Sequence, residues 1–446
     1  MKKLLVIALC SVCVGTLAAQ RTYNLEQLLD SARHNNIAIR NARQDIEAAR
    51  EQRKEAFTKY FPNVSGTGLW FNANKGMAET TLNPSEILPP ALASSLAASM
   101  PPEALVELAN PINVSMMKKG TIGSVMAVQP VFAGGQILNG NRLAKVGEDV
   151  SLLQLQLSER EVDKTTEQYF WQLVSLQEKM KTVANVEALL ASIHSDVDVA
   201  VRAGVTLRND LLQVELRQND IESQKLKLQN GISIVKQMMA QYCGLRDTSF
   251  TLMVDSESSV ELPAKQDHAQ ALFGTTEYQL LDKQIEATRL QKNLAVGQNL
   301  PSVAVGAGYN YHNLLNKNHS FGMIFATVSV PISGWWGGSH AIKRKKIEYR
   351  KAIDEQQDKA ELLQIRMQNA WNNVVEARQQ LQIAGRSIEQ AEENLRIHRN
   401  YYQAGTCKMS DLLEAQLLYQ QSCDKRIDAY ADYQNSILEY KQSVGQ

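Results

Sequence analysis

Residues 139–203 contain no proline and place apolar side chains at alternating steps of three and four. Leu143, Val146, Val150, Leu153 and Leu157 make one run; Tyr169, Leu173, Leu176, Met180 and Val183 make the next. That spacing puts one apolar stripe on a single helix face. A helix over this range spans on the order of 100 Å at 1.5 Å per residue, which no compact domain can hold. Residues 339–403 form a second proline-free run of the same length. Four shorter helical patterns, at 25–58, 207–242, 269–298 and 408–441, are each about half as long. Two of them end to end match one long helix, so the expected unit is a long antiparallel helical hairpin.

The place where each long helix turns back is marked. The stretch 401-YYQAGTCKMSDLLEA-415 carries Ala-Gly, five residues, then Asp-Leu-Leu, and 200-AVRAGVTLRNDLLQV-214 carries the same pattern. Gly405 lies 201 positions after Gly204, and Val330-Pro331-Ile332 lies 201 after Gln129-Pro130-Val131. Further upstream, Ile285-Glu286-Ala287 lies 239 after Ile46-Glu47-Ala48, and Leu300-Pro301 lies 239 after Phe61-Pro62. The chain therefore reads as a twofold internal repeat. A longer insertion at roughly 72–119 in the first copy accounts for the two registers. The boundaries are a first repeat at 20–243, a linker at 244–268 and a second repeat at 269–446.

Between the helices lie segments that read as strands. Residues 302-SVAVGAGYNYH-312 put Val303, Val305, Ala307, Tyr309 and Tyr311 on one face and small or polar residues on the other. Residues 62–71, 121–129 and 321–330 complete a set of four. Pro62, Pro130, Pro301 and Pro331 mark the strand boundaries. Each strand is about ten residues, the length a tilted strand needs to cross a bilayer. Aromatic residues collect near the ends, at Trp70, Phe71, Tyr309, Tyr311, Phe321 and Trp335-Trp336. Two hairpins of a soluble sandwich would give the same four strands. In a membrane, four strands leave two edges that lipid cannot satisfy, so a barrel would have to be shared between copies.

Composition narrows the classes. Lysine plus arginine and aspartate plus glutamate both total 47, which gives no general reason to expect nucleic acid as a partner. Met1-Lys2-Lys3, an apolar stretch from Leu4 to Leu17 and the small residues Ala18-Ala19 read as a secretory signal peptide at 1–19. Neither Cys10 nor Cys13 has the preceding residues of a lipoprotein cleavage site. The remaining cysteines, Cys243, Cys407 and Cys423, are three widely spaced residues and no disulfide framework, although Cys407 and Cys423 are near enough in sequence to pair. No phosphate loop, nucleophile triad or zinc spacing is present, so neither an enzyme, a cofactor nor a metal site is expected. His312 and His319 share a short loop, and Lys343-Arg344-Lys345-Lys346 reads as a solvated helix face.

Taken together, the repeat, the bounding prolines and the two tip motifs resemble the outer-membrane efflux family, the TolC-like channels, from about Tyr23 to Val444. The resemblance implies a mainly α fold with a membrane β-barrel. Each protomer of a homotrimer would give four strands and long helical hairpins to a 12-strand barrel and a 12-helix periplasmic tunnel. It implies an exit duct of a tripartite efflux or type I secretion system, set in outer-membrane lipid and reaching into the periplasm. The partners implied are a periplasmic adaptor and an inner-membrane transporter. Residue by residue, it places adaptor docking at Gly204, Val205, Gly405 and Thr406. It places a periplasmic gate at Tyr402, Asp210, Asp411 and Glu414, with a Tyr402–Asp210 hydrogen bond holding the closed state. Cys407 stands where the family pattern has a gate arginine, and Lys408 is the neighbouring cation. Asp210 and Asp411 equally suit the start of a helix, where acids favour the dipole. A soluble periplasmic coiled-coil scaffold or adaptor is the alternative reading of the whole chain.

Overall fold

A computed structural model describes residues 21–446, apart from 84–86, 88, 102, 105, 107–109, 255–260 and 315–316. The signal segment at 1–19 lies outside the described residues, as do parts of the insertion and of the linker. In chain order the elements are β1 (Arg21–Tyr23), α1 (Leu25–Asn35), α2 (Ile37–Thr58), β2 (Asn63–Asn72), β3 (Ala78–Leu82), α3 (Pro90–Ser99), β4 (Ile112–Met116) and β5 (Lys119–Ala133). They continue with α4 (Gln136–Arg202), α5 (Arg208–Cys243), β6 (Phe250–Leu252), α6 (His268–Gly274), α7 (Thr276–Gly297), β7 (Ser302–His312), β8 (His319–Ser329), α8 (Gly334–Gln403) and α9 (Met409–Ser443). The two long helices have 67 and 70 residues.

The chain divides into two compact units. The first comprises the chain up to Ala49, Glu148–Ile285 and Ala352–Gln446. It is helical, apart from a short parallel pairing of β1 with β6. One apolar cluster joins α1, α2, α4, α5 and β6 through Leu28, Ile39, Phe170, Leu173, Met239 and Phe250. A second joins α4, α5 and the start of α9 through Val186, Leu190, Val214, Ile221, Met409 and Leu412. A third joins α6, α8 and α9 through Leu272, Met367, Val374, Tyr433 and Tyr440.

Two segments expected as single helices are each broken once. Between α1 and α2, Asn36 is extended, with ψ 134. Its Oδ1 accepts from the Ala38 N–H at 2.8 Å and its Nδ2 donates to the Tyr242 carbonyl at 3.1 Å. The buried amide thus caps the new helix and satisfies the neighbouring one. Between α6 and α7, Thr275 does the same, accepting from the Tyr278 N–H at 3.3 Å. The second pair repeats the first: Thr276–Gly297 lies 239 positions after Ile37–Thr58.

The second unit comprises Arg50–Gly147 and Glu286–Lys351. Its centre is a four-stranded antiparallel sheet in the order β2-β5-β7-β8. It is open, and β2 and β8 are its edges. Part of the insertion forms a separate antiparallel hairpin, β3 with β4. The glycine pair Gly134 and Gly297 meets backbone to backbone, and a Cβ on either would overlap the other's carbonyl.

Of the boundary prolines, Pro62 and Pro301 directly precede β2 and β7, and Pro331 follows β8. Pro130 departs from the sequence reading. It lies inside β5, which runs three residues further, at a register shift against β7. The pairing of β5 with β2 has ended by Val128, so the missing N–H leaves no ladder bond unmade on that side.

Candidate functional site: hairpin tips and sheet face

The two tip turns have the same backbone hydrogen bonds. After α4, the Gly204 N–H donates to the Val201 carbonyl at 3.0 Å and the Val205 N–H to Ala200 at 2.9 Å. After α8, Gly405 donates to Tyr402 at 3.0 Å and Thr406 to Tyr401 at 2.9 Å. This is the Schellman closure of a helix, and it needs a left-handed residue at its centre. Gly204 has φ +74 and Gly405 φ +68, with open space where a Cβ would stand. Backbone conformation, not crowding, therefore demands glycine here. Beyond them, Leu207 and Lys408 are extended and the next helix starts. Val205 and Leu207 are exposed at 80% and 73%, so the first tip presents apolar side chains. The second presents Thr406 and Lys408.

Asp210 and Tyr402 come together around a residue the sequence reading did not single out. The Thr206 hydroxyl donates to Asp210 Oδ2 at 2.6 Å. The Tyr402 side chain hydrogen-bonds Thr206 and lies near the Asp210 charge. Burial, with that charge adding to it, pushes the Tyr402 phenol above its ordinary value. Its ring packs against the Val214, Met409 and Leu412 cluster. The link between the hairpins thus runs through a hydroxyl. A threonine four residues before an acid at a helix start is the signal that could have found it.

Asp411 and Glu414 lie elsewhere in the same region. Asp411 accepts from the Lys408 N–H at 3.3 Å and from the Ser410 hydroxyl at 3.1 Å, which caps α9. Lys408 gives its backbone N–H, not its ammonium, to this carboxylate. Glu414 is exposed. Cys407 donates from Sγ to the His398 carbonyl at 3.5 Å, and burial raises its thiol; neutral or ionised, a thiol supplies no positive charge. Cys243, Cys407 and Cys423 are all free thiols. Burial pushes Cys243 up to about 11.

In the sheet, residues directly opposite one another share a face. Val64, Trp70, Val125, Ala127, Val303, Val305, Ala307, Tyr309, Tyr311, Ile324, Ala326 and Val328 fall on one face by this register. Ile324 is 90% exposed, Trp70 71% and Val328 66%, so the apolar face is uncovered. The opposite face carries Ser65, Thr67, Ser124, Asn310, His312, His319 and Thr327, mixed with Met126, Phe321 and Phe325. There the Thr67 and Ser124 hydroxyls bond at 2.6 Å and Phe325 lies over Gly306. Phe71 and Phe321 belong to this second face, so the aromatic residues near the strand ends divide between the two. No helix among the described residues is long and apolar enough to cross a membrane.

Residues 279–446 match the family described as outer membrane efflux protein. The match covers the last 168 of 446 residues. The chain's fold is shared by solved channels across nearly its whole length. VceC of Vibrio cholerae, an outer membrane protein, matches at 14% identity with TM-score 0.72, over 94% of this chain and 96% of that one. The Campylobacter jejuni outer membrane channel CmeC matches at 15% and TM-score 0.75, over 94% and 85%. CusC, whose structures concern transmembrane channel formation, matches at 14% and TM-score 0.77, over 96% and 93%. At such identities the likeness is one of fold. No curated protein matches the chain in sequence. The matched family is one of the outer membrane, with the periplasm beneath it. The apolar sheet face and the polar helical hairpins suit those two surroundings.

Proposed function

We propose that three copies of this chain form a passive exit duct across the outer membrane and the periplasm. One observation carries the reading: an open four-stranded sheet with an uncovered apolar face and two unpaired edges. Lipid accepts the face and rejects the edges, so the strands must close on copies of themselves. Three copies give twelve strands, within the known range of barrels. The repeat in the sequence supplies two hairpins per copy, and the hairpins line a tunnel. The tips at Gly204-Val205 and Gly405-Thr406 dock a periplasmic adaptor, which couples the duct to an inner-membrane transporter. Exposed Val205 and Leu207 give that surface apolar area, and Thr206 links Tyr402 to Asp210 to hold the tips closed. A soluble periplasmic scaffold is disfavoured by the apolar sheet face, which water would not tolerate uncovered.

Asp411 and Glu414, three of each around a narrow opening, form a ring that favours cations. Fractionation tests the duct as a whole. The protein should be recovered from outer membranes only with detergent and run as a trimer that heat dissociates. A soluble periplasmic monomer would remove the reading. Neutralising Asp411 and Glu414 should lower the cation-to-anion permeability ratio in bilayer recordings, and an unchanged ratio would remove the ring.

A further inference from the structure

A polar network between the two hairpins lies beyond the tips. Arg217 on α5 donates from Nε to Gln416 Oε1 at 3.0 Å and from Nη2 to Gln420 Oε1 at 2.6 Å, both on α9. Gln420 Nε2 donates back to Gln224 Oε1 on α5 at 2.7 Å. Gln416 is 0% exposed and Gln420 3%. Burial lowers the Arg217 guanidinium, and the charge that opposes this is Asp220 on its own helix. Among the described residues no carboxylate accepts a hydrogen bond from Arg217. Gln416 Nε2 has no hydrogen-bond partner at all. Val214, Ile221 and Leu412 pack in the adjoining apolar cluster.

This arrangement is a poor choice for permanent adhesion. Buried charge loses hydration, and amide oxygens repay less of it than carboxylates do. Leucines at these positions would hold α5 to α9 at least as firmly. What the polar set offers is a directional contact whose parts all regain water when the helices separate. An apolar seam would resist separation in proportion to the area it exposes. Arginine and glutamine also do not titrate near neutrality, so the contact is insensitive to pH.

We propose that Arg217, Gln416, Gln420 and Gln224 form a second clasp between the two hairpins, which keeps the duct closed and must break for it to open. The proposal rests on the duct reading above and adds a constriction distinct from the Tyr402–Thr206–Asp210 link. It assigns Arg217 a positioning role, as a fork that spans two glutamines one helical turn apart.

Two single variants of the full-length protein, recorded in planar bilayers, test it with opposite signs. Arg217→Gln removes a charge-assisted fork, and the open probability should rise about tenfold, the equivalent of one such hydrogen bond lost. Gln416→Glu turns a neutral acceptor into an ionised partner, and the open probability should fall. Arg217→Lys keeps the charge without the fork and should lie between wild type and Arg217→Gln. If Arg217→Gln fails to assemble, the other two variants still decide the matter. A network that only supports the fold would lower the heat stability of the trimer in all three and leave gating alone. That result, or shifts of the same sign, overturns the clasp. Wild-type protein that never conducts overturns the duct reading and the clasp with it; conducting wild type with unshifted variants overturns the clasp alone.

Discussion

At the scale of residues, two glycines and a pair of aspartates carry distinct consequences. Gly204 and Gly405 sit at positive φ in otherwise open space, so Gly204→Ala or Gly405→Ala should strain the turn by about 1–2 kcal/mol without any clash. Hydrogen exchange at the amides of 204–206 and 405–406 should quicken, while trimer assembly stays unchanged. Unchanged exchange would mean that the closure bonds do not hold the tips. Asp424 and Asp432 behave differently. Burial raises both carboxyls, and for each the charge of Lys179 opposes the rise. The folded state then binds these protons more tightly than the unfolded one. Their contribution to stability is present at acid pH and is lost as pH rises through the raised folded values. Asp424→Asn with Asp432→Asn should therefore raise the melting temperature at neutral pH and flatten its fall from mildly acid pH. A double variant as pH-dependent as wild type contradicts this. The sequence announced the glycines through their repeated spacing. It gave no comparable sign of Arg217, because a polar residue on a helix looks solvated until its neighbours are known.

At the scale of elements, the strand lengths and the turning points of the helices were legible because alternation and three-four spacing are local signals. The breaks at Asn36 and Thr275 were not. Both are single polar residues whose side chains replace backbone partners, and apolar spacing continues across them. Pro130 misled for a related reason: a proline ends a strand only if its missing N–H faces a partner, and β2 has already stopped beside it. The hairpin of β3 with β4 inside the insertion gave no sign, since Thr, Leu, Asn and Val there alternate over too few residues. The faces of the main sheet make the sharpest prediction. Ile324 stands fully outward on the apolar face, so Ile324→Lys should cost roughly 2–4 kcal/mol at the middle of a bilayer and empty the outer-membrane fraction of trimer. Thr67→Lys, on the opposite face, should assemble. Equal loss from both would mean the sheet does not have one face in lipid.

At the scale of the whole molecule, one chain leaves its sheet unfinished. Four strands cannot close, their apolar face is bare, and the edge strands β2 and β8 have unpaired backbone groups. In the proposed trimer, copies of the chain supply the missing pairing at no further cost in sequence. The family match covers 279–446, and the fold shared with solved structures extends over 94–96% of the chain. A reconstruction of the detergent-extracted protein in lipid nanodiscs tests this most directly. It should show threefold symmetry and a closed barrel of twelve strands, with β2 of one copy hydrogen-bonded to β8 of the next. A single copy whose sheet edges are covered by its own chain, or a ring of any other number, would contradict the account.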